Sequence, residues 1–217
     1  MIHFIIATNS EARPLIDLFK LKKKNSEKLQ MYCNESISLT ITGIGKINSA
    51  IGVIQTFYES SKRINDCWIN VGLAGHKSHH IGKIFAIRKI YDNDNNKKIY
   101  PFVNSFTIET DECITLEKEK KKYSNKIYEM ESSGFFKACS KFSSNELIQV
   151  LKIISDNQNE SVNFKKDEQI YNLIIQHKEM IIEFTEYMKK IRNIVFDNKH
   201  RSLDEEFLKL FLVTEIK

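Results

Sequence analysis

The sequence predicts an α/β domain of three layers, α/β/α, around a mixed, mostly parallel central sheet. Three observations predict it. Short apolar, β-branched runs alternate with helix-patterned segments along most of the chain, the pattern of layered α/β domains. Six of the seven glycines fall between residues 43 and 82. In a glycine-poor chain these mark places where backbone shape demands them. Acidic residues stand just past three of the predicted strands, the edge at which such sheets bind ligands.

The elements follow in order. Ile2 to Thr8 is a short apolar run and reads as a buried strand. Asn9-Ser10-Glu11-Ala12-Arg13-Pro14 opens a helix, because Ser or Asn caps it and Pro fits its first turn. Ser38 to Ile44 alternates and reads as a strand running into G-I-G-K, then a helix over N-S-A-I-G-V-I-Q-T-F-Y. Asp66 to Val71 is a third strand ending in G-L-A-G, and Ile81 to Tyr91 a fourth. Residues 92 to 98 read as a polar loop, Phe102 to Ile108 as a strand, and Glu117 to Lys122 as a charged, exposed segment. Ile127 to Glu131 is a strand leading into a helix that lasts through Phe142. Leu147 to Ser155 is the last apolar strand, and Asp156 follows it. One long amphipathic helix is expected from Asp167 to Val195, and a short helical tail from Ser202 to Ile216. All 217 residues fit one domain, with 196–217 as an additional tail.

Composition narrows the function classes. An apolar fraction of 41% and a mean hydropathy of -0.37 read as a globular chain. Without a run of eighteen apolar residues or a signal-peptide pattern, no membrane partner is expected and the cytoplasm is the expected location. The net charge of +5 comes from short lysine groups beside acidic and polar residues. No arginine stripe interleaves with aromatics, so a solvated surface is favoured over a nucleic-acid partner. The four cysteines show no C-x-x-C spacing. His76, His79 and His80 show no carboxylate close in sequence, so they read as a polar loop and no metal is expected.

Chemistry concentrates at the strand ends. Gly43 and Gly45 follow one strand and Gly72 and Gly75 the next. Both pairs suit a ligand held by backbone N–H groups at a helix start, and equally suit tight turns without a ligand. Neither completes a P-loop or a G-x-G-x-x-G pattern. Glu11, Glu131 and Asp156 lie just past separate strands, so a parallel sheet gathers them on one edge. Each alone is equally an N-cap or a first-turn acid.

These pieces carry a resemblance. I-I-A-T-N-S-E-A, T-G-I-G-K-I-N-S-A, I-N-V-G-L-A-G, Y-E-M-E-S-S-G and I-I-S-D occur in this order across residues 2 to 156. The chain resembles the purine nucleoside phosphorylase/uridine phosphorylase superfamily, and within it the 5'-methylthioadenosine/S-adenosylhomocysteine nucleosidases. The resemblance implies hydrolysis of a purine nucleoside without any cofactor. Asp156 would protonate the purine at N7, beside Ser155 of the I-S-D element. Glu11 would position and deprotonate water. Glu131 would hold the ribose hydroxyls, with Met130 against the sugar. Ala74 and Gly75 would line base and ribose, Ile114 would read the base edge, Phe164 would stack on the base, and Ile44 would face the 5'-substituent. A small nucleoside is the implied partner and a homodimer the implied assembly.

Phosphorylases of this superfamily bind phosphate with early arginines, and here only Arg13 is early. Hydrolysis is therefore favoured over phosphorolysis. Futalosine hydrolases, hopanoid-linked phosphorylases and a nucleoside-binding member without turnover are the alternatives. The chain departs from the resembled pattern at Leu73 and His76, where Ser and Gly are usual, and at Lys152, where Arg is usual. Between Gly82 and Glu129 it is shorter by roughly thirty residues, more than a loop's ordinary variation.

Overall fold

The structure is a computed structural model that describes residues 1–26, 30–60, 62–119 and 123–197. The tail predicted over 202–216 lies outside them. Ile2–Ile6 (β1) leads into Asn9–Leu18 (α1). Lys22–Lys23 (β2), Gln30–Cys33 (β3) and Ile37–Ile41 (β4) precede Lys46–Glu59 (α2). Cys67–Gly75 (β5), Ile84–Asp92 (β6), Lys97–Ile99 (β7), Thr110–Thr115 (β8) and Ile127–Glu129 (β9) lead to Ser132–Cys139 (α3). Ile148–Asp156 (β10) is followed by Asp167–Ile175 (α4) and Lys178–Asp197 (α5). None of the described helices is long and apolar enough to cross a membrane.

The sheet is mixed, as expected. β4, β1, β5 and β10 are neighbours in parallel register, and β6, β8 and β9 form a second parallel run. The runs join through antiparallel β10–β6 and β5–β9 pairings. Because β10 pairs with both β5 and β6, the strands β5, β10, β6, β8 and β9 close into a ring. Closure was not expected from the alternation of strands and helices. It removes two edges that would otherwise need covering. Antiparallel pairings are as numerous as parallel ones among the described strands, so the sheet is not mostly parallel as expected.

Strand alternation sends side chains to two cores. Ile2, Phe4 and Ile6 pack with Leu15 of α1, Ile170 and Ile174 of α4, and Ile181, Phe184 and Met188 of α5. Ile5 and Trp68 pack with Val53 of α2 and Phe135 of α3. Helices α2 and α3 touch so closely that a Cβ on Gly134 would stand 1.9 Å from the Lys46 carbonyl oxygen.

Three expectations change, and one strand is added. Phe102 to Ile108 is a loop, because Asn104 accepts from the Phe106 N–H (3.0 Å) and turns the chain. Phe106 then packs edge-on to Phe184. The strand of this region is β8, whose Asp111 and Glu112 hide it from an apolar-pattern search. The long helix is two, α4 and α5, broken at Gln176 and His177, where the His177 Nε2 lies 2.7 Å from the Gly82 carbonyl oxygen. The segment 92 to 98 is not simply a loop. Asp92 ends β6, is buried, and pairs with Lys46 (3.2 Å) and Lys137, while Lys97 starts β7.

Candidate active site

The carboxyl ends of β1, β5 and β10 and the chain after β9 surround a cavity of about 430 Å³. Nine of the ten residues singled out in the sequence line it: Glu11, Ile44, Ala74, Gly75, Met130, Glu131, Ser155, Asp156 and Phe164. Ile114 does not. It lies inside β8, paired with Tyr128 and Tyr91, and Leu116, two residues on, reaches the cavity instead. The alternation of a strand explains the offset, since Ile114 and Leu116 share one face but only the later one lies at the mouth.

Glu11 is fixed by its helix. Thr8 is the N-cap of α1 and Glu11 is N3 of a capping box. One carboxylate oxygen, Oε2, accepts from the Thr8 N–H (3.0 Å) and Thr8 Oγ1 (2.7 Å). The other, Oε1, accepts from the Leu73 N–H (2.9 Å) at the end of β5. The backbone of Leu73, whose side chain departs from the resembled pattern, thus orients the acid.

The two acids of E-M-E divide their work. Glu129 is fully out of solvent. Its Oε2 accepts from the N–H groups of Glu131 (3.0 Å) and Ser132 (2.8 Å) and from Ser132 Oγ (2.6 Å), and its Oε1 from Thr115 Oγ1. It fastens the turn into α3. Burial pushes its carboxyl up, but the Lys152 ammonium and the Ser132 and Thr115 hydroxyls outweigh burial and hold it below the usual range. Both acids line the cavity, and of the two only Glu131 keeps some side-chain exposure. Its Oε1 accepts from the Gly45 N–H (2.9 Å), and Gly45 has φ 106°, a conformation that suits glycine. Burial raises the Glu131 carboxyl, and the Glu129 charge adds to that against the pull of Lys152.

Lys152 sits inside β10 with no exposure. Its Nζ is 2.9 Å from Glu129 Oε2 and 3.7 Å from Glu131 Oε2. The contact with Glu129 is a buried ion pair. Glu129 and Glu131, against the effect of burial, hold the ammonium well above its usual range. A Cβ on Gly72 would meet both Lys152 Nζ (3.2 Å) and Glu11 Oε1 (3.4 Å). The lysine therefore lies among three acids, behind the cavity wall.

Asp156 ends β10. Its Oδ1 accepts from Ser155 Oγ (2.7 Å) and its Oδ2 from the Tyr123 hydroxyl. Tyr123 was missed in the sequence, where it stands among lysines without a signal.

Arg13 is exposed and lies 5.9 Å over the Tyr171 ring, away from the lining residues. Lys46 of G-I-G-K is committed to Asp92 and Asp94. No arginine is among the described residues that line the cavity.

Folding does supply the carboxylate that the histidines lack in sequence: His79 Nε2 is 3.3 Å from Asp111 Oδ2, and His76, His79 and Asp111 form one cluster. His76 Nδ1 accepts from the N–H groups of Ser78 (3.1 Å) and His79 (3.0 Å), which places its proton on Nε2. The His76 and His79 rings stack with centroids 3.8 Å apart. His76 Nδ1 is thus taken up by the turn, while the possible ligand atoms of His76, His79 and Asp111 lie within 4.8 Å of one another.

Compared by sequence, the chain matches no protein-family model and no curated protein. Compared by structure, it matches nucleosidases. The fold is that of the 5'-methylthioadenosine nucleosidases. The Arabidopsis thaliana 5'-methylthioadenosine nucleosidase superposes with a TM-score of 0.72 at 13% identity, over 86% of this chain and 95% of that one. The Campylobacter jejuni 5'-methylthioadenosine/S-adenosylhomocysteine nucleosidase gives 0.68 at 16%, over 85% and 98%. The Helicobacter pylori nucleosidase solved with butyl-thio-DADMe-Immucillin-A gives 0.67 at 16%, over 85% and 97%. This nucleosidase fold is the one that the sequence resemblance implied. The three nucleosidases are each covered almost end to end.

Proposed function

We propose that the protein hydrolyses the N-glycosidic bond of a purine nucleoside, a 5'-modified adenosine of the methylthioadenosine or S-adenosylhomocysteine kind. One observation carries the reading: Glu11, Glu131 and Asp156 line a single cavity, each held by different donors. Three carboxyl groups in three environments are what the reaction needs. Asp156, carrying a proton, gives it to N7 of the base. The C1'–N9 bond then breaks with its electrons going to the base, and the ribose becomes oxocarbenium-like. Glu131 accepts from the ribose hydroxyls and stabilises the cation. Water attacks C1' and loses its proton to Glu11. Ala74, Gly75, Met130 and Phe164 surround base and sugar, and Ile44 at the mouth meets the 5'-group. The placement of Arg13 and Lys46 supports water over phosphate as the nucleophile.

In this reading residues 1–217 are one domain with helices on both faces of the sheet, as three layers. The cytoplasm fits four free thiols. The second copy of a homodimer would cover the stripe Ile47, Ile51, Ile54 and Tyr58, four exposed apolar side chains at i, i+4, i+7 and i+11 of α2. Size-exclusion chromatography with light scattering tests it: a dimer that Ile51→Lys dissociates is expected, and a wild-type monomer rejects it. The activity is tested by release of free base from methylthioadenosine in phosphate-free buffer, lost in Asp156→Asn.

A further inference from the structure

The acid end of the cavity holds one side chain that this mechanism leaves without a role. The Tyr123 hydroxyl donates to Asp156 Oδ2. Its ring end presses on Gly75, where a Cβ would stand 2.3 Å from Tyr123 Cζ and 2.5 Å from the hydroxyl oxygen. Only a glycine leaves room for that approach. Tyr128 flanks the ring with centroids 5.4 Å apart. Burial, and then the bond to Asp156, raises the phenol well above its usual range. The hydroxyl therefore remains a donor at neutral and mildly alkaline pH.

Gly75 and Asp156 are also among the residues that the proposed function gives to the purine. A hydroxyl lying over Gly75 and bonded to Asp156 stands where the base would meet its acid. We propose that Tyr123 is an internal competitor for the base subsite, whose hydroxyl must release Asp156 before a planar nitrogen heterocycle can bond there. This inference rests on the nucleosidase reading. It involves no covalent step: one hydrogen bond to the carboxyl group is exchanged for another. The Tyr123–Asp156 hydrogen bond has to be given up before a base can bond there, so it weakens the apparent affinity of every base that enters. A packing role makes the opposite prediction, because trimming a packed side chain loosens binding.

The test is calorimetric binding of adenine to the wild type and to Tyr123→Phe, with KM and kcat for methylthioadenosine measured beside it. The variant keeps the ring and removes the competing donor. It should bind adenine about tenfold more tightly and show a lower KM. Equal or weaker adenine binding in the variant, with the wild type binding, overturns the competitor and leaves the nucleosidase reading standing. No adenine binding and no turnover by either protein overturns that reading, and the competitor with it.

Discussion

Lys152 and Glu129 meet at 2.9 Å with neither side chain exposed, and this pair holds the acid face of the cavity together. Removing one partner leaves a charge stranded in the interior, which costs about 3–5 kcal/mol. Lys152→Met should lose that much in urea denaturation. Lys152→Met with Glu129→Gln should recover the larger part, because no bare charge remains. A double variant no more stable than the single one would contradict the pairing.

Glu131 gives a pH dependence to binding. Burial holds its carboxyl above the ordinary glutamate range, so on acidification it takes up a proton before an exposed glutamate would. The ionised form is the better acceptor for ribose hydroxyls. KM for a nucleoside should therefore rise as pH falls, starting above the usual glutamate range. Glu131→Gln should raise KM about 10- to 100-fold at neutral pH and flatten that rise. A KM in the variant that still climbs on the acid side would assign the titration elsewhere.

Asp156 and Glu11 should separate binding from chemistry. A general acid or base contributes about 10²- to 10⁴-fold to rate, so Asp156→Asn and Glu11→Gln should each lower kcat by that order. The Glu11 variant should still bind adenine, since the proposed reaction sets Glu11 against the attacking water. Loss of adenine binding in Glu11→Gln would place that acid at the base instead.

Stability has its own acid limb, centred on Asp66. This buried carboxylate accepts from Arg192 Nε (2.9 Å), the N-terminal ammonium (2.7 Å) and His3 Nε2 (3.3 Å). Burial raises it, but the bonds from His3 and the N-terminus prevail and bring it down to about 2. A depressed carboxyl contributes stability above its unfolded value of about 3.9 and loses it as pH falls toward the folded value. That contribution is about 2–3 kcal/mol. His3, lowered chiefly by burial, acts at higher pH. Below about 6.5 the unfolded chain takes up a proton that the folded one refuses, so stability declines on acidification there too. Thermal melts should fall in two steps below neutrality. Asp66→Asn should remove the lower step, and an unchanged acid profile in that variant would refute the assignment.

The sequence made the sheet edge legible because its signals are local. Glycines mark the ends of two strands, and an acid stands at or just past the end of each of three others. The ring closure depends on β10 meeting both β5 and β6, a long-range pairing that no window of residues contains. Phe102 to Ile108 misled because its alternation serves a loop whose Phe106 docks against Phe184 and Tyr187. Thr110–Thr115 hid because Glu112 is neutralised from outside the strand by Arg88, Lys89 and Lys126. Lys152 did leave a mark, a lone cation within the apolar run of β10. Such a residue needs a buried partner, and the first acid of E-M-E is that partner. Tyr123 left none.

The central claim is that water, not phosphate, cleaves a purine nucleoside in this cavity. The most direct measurement is chromatography of free base after incubating the purified protein with methylthioadenosine, S-adenosylhomocysteine, adenosine, inosine and futalosine, with and without phosphate. The account predicts adenine from a 5'-modified adenosine at the same rate in both buffers, abolished in Asp156→Asn. Base released only when phosphate is present, or from none of these nucleosides, would contradict it.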